Sequence, residues 1–311
     1  MNHAGEIEPL TRLVRPHVAI VTAIEPVHLE FFPSIEGIAD AKAEIFLGLE
    51  PGGSAVINRD SPHFARLQRR AKEAGVEGVV SFGEHAKADA RLVKVSLHPN
   101  CSTVEARIFG TPITYKLGAP GRHLVLNSLA VLATASLVGA DLAVAALALA
   151  ELKPAAGRGS RITLDLPGGA ALLIDESYNA NPASMWAAIA LLGQAPVGPR
   201  GRRIAVLGDM LELGSQAADL HRGLAEPILA NAVDLVFCAG EQMRTLWEAL
   251  PSERRGGYAE GSAALEPDVL TAIHAGDAVM VKGSLGSKTG LIVKALERRY
   301  APSALAAPAQ G

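Results

Sequence analysis

The run Ile174-Asp-Glu-Ser-Tyr-Asn-Ala-Asn-Pro182 ends a β-branched segment and opens a helical one. Asp175 therefore falls at a strand's carboxyl end, where open parallel sheets collect their ligands, with Tyr178, Asn179 and Asn181 behind it. That density of polar groups exceeds what helix capping demands. Other residues invite chemistry with a plainer alternative beside it. His28, in Glu25-Pro-Val-His28-Leu-Glu30, suits a metal ligand or an acid–base group, and equally a hydrogen-bonded loop histidine. Lys42 lies at the edge of a helical stripe set by Ile38, Ile45 and Phe46, where an ordinary lysine would snorkel. Asn127, on the second turn of a helix opened by Gly121-Arg-His123, offers the donor and acceptor an adenine edge needs, or a cap. Arg158, between Gly157 and Gly159, suits a mobile bidentate phosphate contact or a solvent-exposed linker charge. Gly283-Ser-Leu-Gly-Ser-Lys-Thr289 imitates a phosphate loop, but its lysine follows serine and its first glycine is misplaced. Free amides at that helix start could still hold a carboxylate or phosphate.

These residues need a scaffold. The chain has 311 residues, enough for two domains with real cores. Lys and Arg number 29 against 32 Asp and Glu, a net charge of −3 that supplies no field for gripping nucleic acid or an anionic membrane. Hydrophobic residues make up 49% and aromatics only 4%, an aliphatic composition suited to helix-on-sheet packing. Two cysteines, Cys101 and Cys238, make no disulfide framework, which fits a reducing cytoplasm. The first residues lack the basic and apolar regions of a secretory signal. The one membrane-length stretch, 129–150, is interrupted by Asp141 and by a Gly139-Ala-Asp141 cap pair. Two buried helices, at 122–138 and 141–151, account for it better than a membrane span.

Alternating β-branched and helical segments predict an α/β chain. Strands are expected at 18–22 and 54–58, with helices at 35–49 and 62–74. Period-two alternation at 91–97, 104–109 and 111–115 predicts a small antiparallel meander with one wet face. After a Gly/Pro-rich hinge at 153–159 come strands at 162–166, 171–174, 203–207, 235–238 and 278–281. Helices are expected between them, at 183–193, 216–231, 240–250, 264–274 and 288–299. The domains implied are 1–157, a parallel sheet plus the meander, and 158–311, a Rossmann-like unit.

Eight segments occur in one order: Met1-Asn-His-Ala-Gly-Glu-Ile7, Glu25-Pro-Val-His-Leu-Glu30, Ala41-Lys-Ala-Glu-Ile-Phe46, Gly121-Arg-His123 with Asn127, Gly157-Arg-Gly159, Asp175-Glu-Ser-Tyr-Asn-Ala-Asn-Pro182, Leu207-Gly-Asp-Met-Leu-Glu-Leu-Gly214 and Val281-Lys-Gly-Ser284. The ordered set resembles the Mur ligase family, most closely its D-alanyl-D-alanine-adding branch. The resemblance implies a P-loop-type central ATPase domain followed by a Rossmann-like C-terminal domain. It implies a cytoplasmic, monomeric enzyme of peptidoglycan precursor synthesis, with ATP and Mg²⁺ as cofactors. D-alanyl-D-alanine would be joined to UDP-N-acetylmuramoyl-tripeptide through an acyl phosphate. Carried over by motif, His28 and a carbamylated Lys42 would hold the metal, Asn127 and His123 the adenine, Arg158 the phosphate side, and Asp175 the ribose or nucleotide. Tyr178, Asn179, Asn181, Asp209, Lys282 and Ser284 would face substrate. The chain departs from the family in carrying Leu124 after the adenine-side histidine, and in lacking a Gly-Lys-Thr loop. The UDP-binding domain and a metal-binding glutamate are expected upstream of Met1, so the 311 residues are expected to be the later part of a ligase, inactive alone. Two other readings remain: a noncatalytic module that keeps the fold, and another amide ligase of the superfamily. The Asp-Asn-Pro-Arg segment expected of a diaminopimelate-adding enzyme is not in the sequence.

Overall fold

The computed structural model describes residues 1, 3–25, 30–98, 100–153 and 155–301, and divides into two compact units, Met1–Lys153 and Pro154–Gly311. The first contains α1 (Ile7–Val14), β1 (Val18–Val21), α2 (Ile35–Ala43), β2 (Ser54–Asn58), α3 (Phe64–Glu73), β3 (Gly78–Gly83), β4 (Ala90–Leu97), β5 (Ser102–Ile108), β6 (Thr111–Leu117), α4 (Arg122–Leu137) and α5 (Leu142–Leu149). Its strands form one sheet in chain order, parallel from β1 to β4 and antiparallel from β4 to β6. The meander thus extends the parallel sheet, and strict alternation of buried and exposed residues along β5 gives it the expected wet face.

The helix expected over 35–49 begins as predicted, with Ser34 accepting from Gly37 N at 3.3 Å, but tightens into a 3₁₀ turn over Glu44–Gly48. There a Cβ on Gly48 would lie 2.3 Å from the backbone carbon of Thr11, so α1 packs directly on that turn. Asp141 caps α5 by accepting from Val144 N at 2.9 Å, as its position suggested. The expectation of two buried helices holds for α4 but not for α5, of which Ala146 alone is buried while Val144 and Leu147 are 64% and 72% exposed. Alanine favours the helix whether its methyl is buried or exposed, so apolar composition overstated the burial.

The second unit contains β7 (Ser160–Leu166), β8 (Gly169–Glu176), α6 (Pro182–Gly193), β9 (Arg203–Gly208), α7 (Ala217–Arg222), α8 (Ala225–Ala230), β10 (Leu235–Ala239), α9 (Met243–Ala249), β11 (Arg255–Ala259), α10 (Ser262–Ala272), β12 (Ala278–Lys282) and α11 (Gly290–Arg299). The sheet order is β11-β10-β9-β12-β8-β7, parallel except for the β7–β8 hairpin. Separate aliphatic cores lie on its two faces, one built on Leu207, Met280 and Ile189, the other on Val206, Val281 and Ile292. From β9 the chain runs outward through β10 and β11, then returns to insert β12 between β9 and β8. The carboxyl ends of β8, β9 and β12 are therefore neighbours, and they bring Glu176, Gly208 and Lys282 to one edge.

Three elements escaped the sequence reading: α1, β3 and β11. β11 reads Arg255-Gly-Gly-Tyr-Ala259, which looks like a turn. Its glycines are there because a Cβ at Gly256 would stand 2.7 Å from the Phe237 ring of β10. The helix predicted over 216–231 is broken into α7 and α8.

Candidate functional site

In the first unit, Lys42 ends α2 beneath the loop that leaves β1. Its Nζ donates to Ala23 O at 2.9 Å. Burial lowers the lysine's pKa, opposed by the nearby Glu25, and burial likewise raises Glu25 against the pull of Lys42. In both groups desolvation outweighs mutual attraction, so each is drawn toward its neutral form. His28 lies outside the described residues. Among the described residues no group of three or more His, Cys, Asp or Glu gathers as a metal site. Asn127 is half-buried on the second turn of α4, and His123 is exposed at its start, beside Gly121. Gly121 has φ +113°, and a Cβ there would meet the His123 ring at 3.1 Å.

The second unit gathers its polar residues at the shared carboxyl edge. Asp175 is 6% exposed, and its carboxylate is consumed locally: Oδ2 accepts from Gly157 N at 2.8 Å, and Oδ1 from Ser177 N at 3.1 Å and Ser177 Oγ at 2.6 Å. Gly159 N adds a 2.8 Å bond to Asp175 O. These bonds pin the Gly157-Arg158-Gly159 loop onto the end of β8. Gly157 adopts φ +73°, and a Cβ there would lie 2.8 Å from that of Tyr178. Arg158 projects outward with its guanidinium carbon 4.3 Å from the centre of the Tyr178 ring, a cation–π contact.

Lys282, 2% exposed, donates to Asn179 O at 2.8 Å and lies 3.6 Å from Glu176 Oε2. Burial depresses the lysine and raises the glutamate despite their attraction. Glu176 was not singled out from sequence; its signal is the parallel register that sets it opposite Lys282. Asn181 caps α6 in a reciprocal capping box with Ser184. Ser284 ties three loops together: its N donates to Asp209 O at 3.0 Å, its Oγ accepts from Leu211 N at 3.0 Å and donates to Ala180 O at 3.4 Å. Asp209 accepts from Met243 N at 2.8 Å and Gln242 N at 3.4 Å, anchoring the start of α9. Beneath this loop His221 is wholly buried, a second residue the sequence did not flag. In the 283–289 segment the Ser287 and Lys288 amides donate to Ser284 O and Leu285 O at 2.9 and 3.1 Å. These two are thus not the free amides expected there.

Both units are α/β, and in the second, where β12 inserts between β9 and β8, polar groups gather at the carboxyl edge at which open parallel sheets collect ligands. Residues 1–135 match the Mur ligase middle domain and residues 158–285 the Mur ligase glutamate ligase domain, so the chain belongs to the Mur ligase family. It is 34% identical over 300 residues to UDP-N-acetylmuramoyl-tripeptide--D-alanyl-D-alanine ligase of Escherichia coli, covering 95% of this chain and 63% of that protein. The enzyme of the same name from Rickettsia prowazekii is 29% identical over 293 residues, covering 94% and 64%. MurF from Acinetobacter baumannii superposes with a TM-score of 0.83 at 26% identity, covering 96% of this chain and 63% of that one. MurF from Thermotoga maritima in complex with ADP gives 0.76 at 26% identity, covering 95% and 66%. The chain thus spans just under two thirds of the length of the curated relatives it matches.

Proposed function

We propose that the chain supplies the middle and C-terminal domains of an ATP-dependent ligase that joins D-alanyl-D-alanine to UDP-N-acetylmuramoyl-tripeptide. The tripeptide carboxylate takes the γ-phosphoryl group of ATP, the dipeptide amine attacks the acyl carbon, an amide forms and phosphate leaves. The observation that carries this reading is the convergence of the Asn179–Asn181, Asp209–Gly214 and Lys282–Ser284 segments, far apart in the chain, on one sheet edge. The relatives matched over 94% and 95% of this chain bear the D-alanyl-D-alanine ligase name.

In this reading Arg158 and Tyr178 form the outward phosphate-side contact, while Asn127 and His123 flank the adenine. Asp175 acts by holding the Arg158 loop. Arg158 is exposed and offers a bidentate guanidinium to a phosphate, whereas Asp175 fixes where its loop starts. The amine substrate lies against the Asn179 and Leu211 loops, which Lys282 and Ser284 hold in register. Mg²⁺, when bound, would neutralise charge between the phosphate and the carboxylate. Lys42 suits it only as a carbamate, because an ammonium repels a dication. Burial lowers the pKa of this amine against the pull of Glu25, which favours the neutral form that reacts with carbon dioxide. His28 and carbamylated Lys42 would then hold the ion. The enzyme works as a cytoplasmic monomer. No described helix is long and apolar enough to cross a membrane. Without a Gly-Lys-Thr loop the 311 residues alone do not turn over.

Calorimetric titration of the 311-residue chain tests this reading. D-alanyl-D-alanine and ADP are expected to bind, with lysine and diaminopimelate failing to compete with the dipeptide. Preference for a single amino acid over the dipeptide would overturn the substrate assignment. Phosphate release at an enzymatic rate with all substrates would overturn the inactivity.

A further inference from the structure

His221 stands at 0% exposure under the loop that follows β9. A carbonyl only accepts, so the 2.7 Å contact of Nδ1 with Ala217 O puts the proton on Nδ1. A backbone amide only donates, so Nε2 accepts from Met210 N–H at 2.9 Å. Both nitrogens are satisfied only by the neutral Nδ1–H tautomer. The next amide, Leu211 N, is held by Ser284 Oγ, so two consecutive amides of the loop are tied from below by two side chains. Met210 and Leu213 are buried, while Leu211, between them, is 45% exposed at the edge.

We propose that His221 is a positioning residue of the amine-substrate site, a neutral latch that sets the backbone of the Asp209–Gly214 loop and so the face this loop offers to D-alanyl-D-alanine. The inference rests on the proposed function for its ligand, and on geometry alone for the latch. Protonation would give Nε2 a hydrogen aimed at the Met210 N–H, and the bond would be lost. Burial already holds the imidazole's pKa below its ordinary value. The charged group facing it is Asp209, whose Oδ1 lies 3.9 Å from Nε2 and pulls the other way; the buried Cys238 thiol, raised by burial and by Asp209, stays neutral. Acidification therefore loosens the loop only below the ordinary imidazole range.

The test uses the isotope-labelled 311-residue chain, His221→Gln and His221→Leu. Glutamine keeps an acceptor near the Nε2 position; leucine keeps only bulk. Imidazole ¹⁵N shifts are expected to report the Nδ1–H tautomer. Met210 amide exchange is expected to rise at least tenfold in His221→Leu and to stay within threefold in His221→Gln. Dipeptide affinity is expected to fall about tenfold in His221→Leu and to be largely rescued in His221→Gln. An acid limb in binding by the unsubstituted chain should disappear in His221→Gln. A charged or Nε2–H imidazole at pH 7.5, or unchanged Met210 exchange in a folded leucine variant, overturns the latch. Failure of the unsubstituted chain to bind the dipeptide refutes the functional reading instead, and the tautomer and exchange measurements still decide the latch.

Discussion

Lys282→Met removes an ammonium whose side chain is 3% exposed and leaves Glu176, 17% exposed, facing a thioether. In an ordinary salt bridge the lysine's pKa rises and the glutamate's falls; here both move the other way because burial costs each more than the partner returns. Breaking such a pair strands a buried carboxylate, which costs about 3–5 kcal/mol. Residual solvent at Glu176 puts the expected loss near the bottom of that range, with the lost bond to Asn179 O contributing about 1 kcal/mol. With a urea m-value of about 2 kcal/mol/M, a loss of about 3 kcal/mol lowers the midpoint by about 1.5 M. Both tryptophans, Trp186 and Trp247, lie in the second unit, so their emission reads this unit alone. The sign with pH follows from Glu176. Without Lys282 its folded pKa climbs further above the unfolded value, so the penalty is full above that raised pKa and shrinks as pH falls through it. The deficit should be visibly smaller at pH 5 than at pH 8. Replacing both residues by methionine should return stability to within about 1 kcal/mol of the unsubstituted chain. A single variant whose midpoint moves by less than about 0.5 M, or whose deficit is the same at both pH values, refutes the assignment of a costly buried pair.

Other consequences can be checked separately. Glu44 accepts from Gly5 N at 2.6 Å, Ile7 N at 3.1 Å and Glu8 N at 3.3 Å, so Glu44→Gln should fray α1 by about 1 kcal/mol, read as about fivefold faster exchange of its amides. Gly157→Ala combines a positive φ with a Cβ 2.8 Å from that of Tyr178, and should cost about 1–3 kcal/mol, lowering the melting temperature followed by tryptophan emission. An unchanged melt would show that the loop does not sit where Asp175 holds it. Lys42 should yield a carbamate carbonyl signal in ¹³C-bicarbonate above pH 8 that Lys42→Met abolishes; a chain showing no such signal would remove Lys42 from the proposed metal set.

Local chemistry made some of this fold readable. Asp141 follows a glycine and precedes an apolar run, and it caps α5; residues 102–108 alternate, and β5 is wet on one face. β11 was illegible because its glycines answer to Phe237 in another strand, a constraint with no local trace. The same limit governs the site. Asp175, Asn181 and Asp209 look in sequence like ligand groups, yet each spends its side-chain oxygens on backbone amides of its own unit. Lys282 and Glu176 depend on a register between β8 and β12, strands separated in the chain by everything from α6 to α10. Residue type and position at a strand end therefore point to the proposed edge without telling which of its residues would meet a ligand. Exposure makes that division: Arg158, Tyr178, Asn179 and Leu211 face outward, while the carboxylates, Lys282, Ser284 and His221 hold the loops that carry them. Substitutions in the first group should change ligand affinity with little loss of stability, and those in the second should move both.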